Sequence, residues 1–143
     1  DVGVTFAQLS QAVLVLCGNG IFSSVQNDTV ITKAKNHTDK LNSHLMLKAR
    51  SQTDLTFLAS PVTGGGVEVG RFHQLFLMAI QQGRKNPEDW AAFVEQILAA
   101  QGQMIMKEGK PLKTTQEQLI ELTHQAKVFS NKQLPILKAL QIL

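Results

Sequence analysis

Residues 86–117 decide the fold of this chain, and they read NPEDWAAFVEQILAAQGQMIMKEGKPLKTTQE. Asn86 is a favourable helix N-cap, and Pro87 suits the first helical position because its ring fixes φ near the helical value. The two acidic residues that follow complement the positive end of the helix dipole. Apolar side chains then recur at helical spacing from Trp90 until Gly102, which tolerates the left-handed conformation that ends a helix. These signals predict one amphipathic helix.

A short hairpin is predicted directly after this helix. Residues 104–112 have Glu108-Gly109 near their centre, which is a turn signal between two short strands. Thr114 and Glu117 then form a capping box, which predicts the start of a second helix. A helix, a hairpin and a helix in this order are the arrangement of a winged-helix unit, because a two-stranded ribbon needs support from flanking helices.

The remainder of the chain is predicted to be mainly helical as well. An N-cap at Thr5 opens the first helix, whose apolar face is expected to lie in the core and consists of Phe6, Leu9, Val13, Leu16 and Cys17. Further helices are predicted over 38–49 and 72–82, after Thr114, and from Pro135 to Leu140. Strands are predicted over 21–25, 54–59 and 67–69, and residues 29–34 fit either state. Leu41 and Ile120 are expected on the buried stripes of their helices.

The predicted fold class is mainly α with small β-hairpins (α+β), a winged-helix-like helical domain. Residues 1–143 fit a single domain, with two small winged-helix-like halves, 1–70 and 71–143, as a finer division.

With 43% hydrophobic and 17% charged residues, the composition excludes a disordered tail. The longest apolar runs have six residues, so we expect no segment that spans a bilayer. No basic-then-apolar leader follows Asp1, which predicts a cytoplasmic protein, and the missing Met indicates a segment of a longer one.

The charge pattern leaves nucleic-acid binding open as an alternative. The formal net charge is +3 and the isoelectric point is near 9.2. Lys107, Lys110 and Lys113 decorate the predicted hairpin, and a winged-helix protein can place such a wing surface on a phosphate backbone. The helix over 87–101, however, carries three acidic residues and no Lys or Arg, which opposes phosphate binding. These lysines are therefore expected mainly to keep a small hairpin soluble and to protect its edges from pairing.

No residue pattern predicts a catalytic, cofactor-binding or metal-binding site. Cys17 lies at the C-terminal end of its helix, which favours a small buried hydrophobe over a nucleophile. His37 and His44 are seven residues apart, but no cysteine is near them in the sequence and no HExxH motif occurs. Ser60 precedes a proline and lacks the GxSxG elbow. An enzyme that uses the thiol or the histidines is the least favoured alternative.

The glycine run Gly64, Gly65 and Gly66 predicts a tight turn. It lacks the Lys-Ser/Thr of a Walker loop and the GxGxxG spacing of a dinucleotide loop, and Glu68 would repel a phosphate. If this loop has a function, contact with a partner domain is the one expected.

Several stretches of the sequence together resemble a known family. They are Leu58–Val67 (LASPVTGGGV), Arg71–Leu77 (RFHQLFL), Gln82-Gly83, Trp90–Phe93 (WAAF), Ala100–Gln103, Lys107–Lys110 (KEGK) and Leu134–Leu140 (LPILKAL). As a set they resemble the C-terminal region of bacterial class I S-adenosylmethionine-dependent methyltransferases that carry a predicted methyltransferase regulatory domain. The layout is similar to that of rickettsial protein lysine methyltransferases, which have a winged-helix region at the C-terminus.

The resemblance covers essentially the whole chain and implies an accessory or regulatory domain that is not itself an enzyme. In that family S-adenosylmethionine sits in an N-terminal Rossmann-like domain, on a Gly-rich loop that has no counterpart in this sequence. The cofactor is therefore expected in the parent protein and not in this segment. The implied roles are packing on the parent's catalytic domain, formation of a homodimer, or engagement of a protein substrate. A winged-helix nucleic-acid-binding module is the alternative.

Overall fold

The computed structural model describes residues 3–143, which form six helices and two hairpins. The helices are α1 (Phe6–Gly18), α2 (Asp28–Lys48), α3 (Arg71–Gln81), α4 (Pro87–Ala100), α5 (Thr115–Lys132) and α6 (Leu134–Ala139). The strands are β1 (Phe57–Ser60), β2 (Gly65–Glu68), β3 (Met106–Lys107) and β4 (Lys110–Pro111), and each consecutive pair is antiparallel. The predicted class, mainly α with small β-hairpins, is confirmed. Within the described range, no helix has the length and apolarity needed to cross a membrane.

The segment from α4 to α5 forms as its sequence predicts. The Asn86 side chain accepts a hydrogen bond from the Asp89 amide at 2.9 Å. Thr114 and Glu117 form the expected capping box, with reciprocal hydrogen bonds of 3.0 and 3.2 Å. Between these helices, Glu108 and Gly109 both have positive φ, 50° and 77°. Two consecutive residues with positive φ are typical of the tight turn whose twist matches a β-hairpin.

A single cluster of buried apolar side chains holds α3, α4 and α5 together. Its aromatic centre is Phe129 of α5, which lies against Phe76 and meets the ring of Trp90 edge-on, at centroid distances of 5.6 and 6.3 Å. Leu58 of β1 and Met46 of α2 belong to the same cluster. Residues on both sides of position 70 therefore share this core, and the finer division into two halves stays a prediction.

The core does not include the predicted apolar face of α1. No residue of α1 is buried, and Phe6 is 84% exposed. Cys17 is exposed as well, so the prediction of a buried cysteine is wrong. Helical spacing of apolar residues identifies a face that favours burial, but the spacing does not say what covers it. No other element of the described chain packs against α1.

The strand predicted over residues 21–25 is also wrong. This stretch is irregular, and the amides of Ile21 and Phe22 donate to the Leu16 carbonyl at the end of α1. A β-branched, apolar run forms a strand only where a partner strand is available, and none pairs with it among residues 3–143. The ambiguous residues 29–34 are helical, because Asn27 caps α2 through a 3.0 Å bond from the Val30 amide.

Two residues expected inside lie at the surface. Leu41 of α2 is 48% exposed and Ile120 of α5 is 65% exposed. In α2 the buried position next to Leu41 belongs to a polar residue, Asn42. Hydropathy alone therefore placed Leu41 wrongly, whereas Met46 of the same predicted stripe is buried.

Candidate interaction surface

The most unusual surface of the molecule is an exposed apolar segment at its N-terminal end. It consists of α1 and the irregular residues that follow it, and we call residues 6–25 the N-terminal apolar segment. Its large exposed side chains are Phe6, Leu9, Val13, Leu14, Val15, Ile21, Phe22 and Val25. The sequence holds no charged residue from position 2 to position 27. Contiguous apolar surface of this kind marks a site of interaction in soluble proteins.

Helix α1 owes its ends to local hydrogen bonds. Thr5 and Gln8 form a capping box, and the Asn19 amide bonds back to the Val15 carbonyl. An isolated helix of 13 residues is marginal in water, because most helix stability in proteins comes from packing of one face. These caps define the helix, and its apolar face is available for a partner.

The segment is attached to the rest of the domain beside the loop between β1 and β2. The Gln26 amide donates to the Val62 carbonyl at 2.8 Å. Gly64 has a φ of 70°, and a Cβ placed there would lie 2.8 Å from Nε2 of Gln26. The absence of a Cβ at position 64 therefore leaves room for the side chain of Gln26. Gly65 and Gly66 are exposed, and the contact of this loop with a partner domain stays a prediction.

A shallow cavity of about 440 Å³ lies where the segment meets this loop. It is lined by Cys17, Phe22, Ser23, Ser24, Thr63, Gly65, Gly66 and Val67. The hydroxyl of Thr63 is buried and finds no hydrogen-bond partner among the described residues 3–143. Hydroxyls and a thiol, together with the side chains of Phe22 and Val67, give this wall a mixed polar and apolar lining without charge.

Three buried polar side chains hold the first hairpin against the helices. Asn42 of α2 exchanges two hydrogen bonds with the backbone of Ala59, at 2.8 and 2.7 Å. Gln74 of α3 donates to the carbonyls of residues 55 and 69. Ser60 donates to the Leu140 carbonyl at 2.8 Å and accepts from two loop amides. A two-stranded ribbon has two unpaired edges, and Asn42 satisfies part of one of them, while Gln74 and Ser60 fix the segments that flank the strands.

Arg71 joins the ends of two helices. Its Nε donates to the Ala49 carbonyl at 2.7 Å, after the end of α2, and one terminal nitrogen donates to the Arg50 carbonyl at 2.8 Å. The other terminal nitrogen donates to the side-chain oxygen of Gln103 at 2.8 Å, beyond the end of α4. Burial lowers the pKa of the Arg71 guanidinium from its ordinary value. The planar fork of five donors explains why an arginine fits here.

The sequence did not predict these polar roles. Arg71, Gln74 and Ser60 lie in the stretches that carry the family resemblance, and Asn42 lies outside them. Asn42 gave no signal of burial in the sequence, because its neighbourhood there shows only a polar residue beside an apolar stripe. Ser60 is engaged as a structural hydroxyl at the base of the loop.

The three lysines of the second hairpin differ in their contacts, and their role as a wing surface stays a prediction. Lys107 bonds to the Glu121 carboxylate of α5 at 2.7 Å, which raises the pKa of Lys107 and lowers that of Glu121. Lys110 and Lys113 are exposed. The pair ties β3 to α5, and it reduces the positive charge that this wing presents to solvent.

The histidines do not converge on a metal site. His37 and His44 are both exposed on α2, and no group of three or more ligating side chains that could hold a metal occurs among residues 3–143. His73 is half-buried and stacks on Phe129 at 4.9 Å between ring centroids, and burial lowers its pKa. It borders an open cleft of about 420 Å³ with Thr53, Gly70, Arg71, Phe72 and Gln125.

Comparison with known proteins found one curated relative. It is an uncharacterized protein, sll1526, of the cyanobacterium Synechocystis sp., and it is 37% identical over 140 residues, or 98% of this chain. The match spans 27% of the relative's own length. No family model matches the chain, and no solved structure does. The sequence is therefore similar to one segment of a much longer bacterial protein.

Proposed function

We propose that this chain is a non-catalytic accessory domain of a longer S-adenosylmethionine-dependent methyltransferase, and that it packs on the catalytic part of that protein. The resemblance of the quoted sequence stretches supports the methyltransferase assignment. The match to a short part of a longer relative supports the assignment to a multidomain protein. The free, exposed Cys17 fits a reducing compartment, which supports a cytoplasmic location.

The accessory role is inferred from the hydrogen bonds of three polar residues in the stretches that resemble the family. Arg71, Gln74 and Ser60 all bond to backbone carbonyls of neighbouring elements. A side chain that is held by the scaffold in this way positions secondary structure and is not available to a substrate. These three residues of the resembling stretches therefore have a structural explanation, which favours a scaffold over an active centre.

S-adenosylmethionine binding tests the proposal. Titration calorimetry should detect binding to the full-length protein and to a version that lacks residues 1–143, and none to residues 1–143 alone. Circular dichroism of each preparation verifies that it is folded. Tight binding by residues 1–143 alone would contradict the accessory role, and no binding by the full-length protein would contradict the methyltransferase assignment.

A further inference from the structure

We infer that α1 docks its apolar face into an uncharged apolar groove on the remainder of the same polypeptide. This inference rests on the proposed function only in that it requires a longer protein. The face consists of Phe6, Leu9, Val13 and Cys17, which lie within less than half a turn of one another at 100° per residue. Each of them is exposed.

The charge pattern indicates the chemistry of the occupant. Helix α1 contains no acidic and no basic residue. Helices that bind at a membrane surface are rich in Lys and Arg on the polar face, and nucleic-acid surfaces require positive charge. An uncharged apolar helix fits the interior of a permanent protein interface, which resembles a domain core.

The size of the helix argues against a second copy as the occupant. A helix of 13 residues is about 20 Å long and about 10 Å wide. Two such helices side by side bury a few hundred Å² per partner, whereas a stable interface needs about 800 Å² per partner. A groove on the same polypeptide needs less area, because covalent attachment supplies a high effective concentration. The Synechocystis relative has most of its length outside the matched segment, so it has ample chain to form such a groove.

Cys17 is a native reporter of this docking, because it lies on the apolar face. The experiment measures alkylation of Cys17 by iodoacetamide in the full-length protein, with the site identified by peptide mass spectrometry. We expect alkylation about tenfold slower than in the urea-unfolded protein, since a docked thiol reacts only when the contact opens. Leu9→Lys, on the apolar face, should abolish this protection. Gln11→Lys, at an exposed position on the opposite side of α1, should preserve it.

Each other outcome overturns the inference. Free reaction of Cys17 in the full-length protein means that the helix does not dock on its own polypeptide. Protection that disappears on dilution assigns the face to a second copy, and protection that requires added phosphatidylcholine vesicles assigns it to a lipid surface. Equal loss of protection in both lysine variants means that the protection of Cys17 does not depend on the apolar face of α1. Calorimetry with S-adenosylmethionine on the same preparation separates the two proposals, because docking without cofactor binding contradicts only the methyltransferase assignment.

Discussion

The side-chain amide of Asn42 pairs with the backbone of Ala59 as a residue of a neighbouring strand would. Nδ2 donates to the Ala59 carbonyl, and the Ala59 amide donates to Oδ1. Asn42 is completely buried, so water cannot replace either bond. One helix residue thereby extends the edge of a two-stranded ribbon, which fixes β1 against α2.

Replacement of Asn42 by alanine should destabilise the protein strongly. The substitution leaves the partly buried N–H and carbonyl of Ala59 without their Asn42 partner, and each unpaired buried group costs about 1–3 kcal/mol. We expect the free energy of unfolding in urea to fall by about 2–5 kcal/mol. Ser43→Ala, at the exposed neighbouring position of α2, is the control and should change it by less than about 0.5 kcal/mol. Equal small effects of both variants would show that the pair does not stabilise the fold.

Arg71→Lys should also be destabilising although it preserves the charge. A lysine ammonium is a single point, and it cannot reach the carbonyls of residues 49 and 50 and the side chain of Gln103 together. We expect a loss of about 1.5–3 kcal/mol in urea unfolding, the usual range for hydrogen bonds to charged groups. Arg50→Lys is the matched control, because its side chain is exposed and makes no hydrogen bond within residues 3–143. A near-neutral Arg71→Lys would refute the clamp.

Gly64→Ala tests the attachment of the N-terminal apolar segment. An alanine at a φ of 70° is strained by about 1–2 kcal/mol. Its Cβ would also lie 2.8 Å from the side-chain nitrogen Nε2 of Gln26. Gly65→Ala is the control, since nothing lies within 4 Å of a Cβ there. Unfolding measurements on Gly64→Ala with and without Gln26→Ala separate the two costs. Removal of the Gln26 side chain should recover only the part of the lost free energy of unfolding that comes from contact between the new Cβ and Gln26.

The helices with strong end signals were predictable because those signals are local. Asn86 and Pro87 at the start of α4, and Thr114 and Glu117 at the start of α5, act through hydrogen bonds and dihedral angles within a few residues. Their helices accordingly begin where the sequence indicates. The turn at Glu108-Gly109 is predictable for the same reason.

The environment of each helix was not predictable, because it depends on distant residues. Leu9 and Leu122 occupy similar helical patterns, yet Leu122 is buried by α4 and Leu9 is exposed. Asn42 meets Ala59 across 17 positions, and Ser60 meets Leu140 across 80. Hydropathy assigns a polar residue to the surface by default, so a buried amide that completes a hairpin edge is visible only in the folded chain.

His73 should make stability decrease as the pH falls below neutrality. Burial against Phe129 lowers the pKa of its imidazole below the ordinary value of about 6.5. Between pH 7 and pH 5 the unfolded chain therefore takes up a proton at this position before the folded protein does, and the free energy of unfolding falls with pH. His73→Phe keeps an aromatic ring on Phe129 but cannot be protonated. Urea unfolding at pH 7.5 and pH 5.5 should give a decrease that is smaller in the variant than in the wild-type protein. Parallel decreases in the two proteins would mean that protonation of His73 is not coupled to folding.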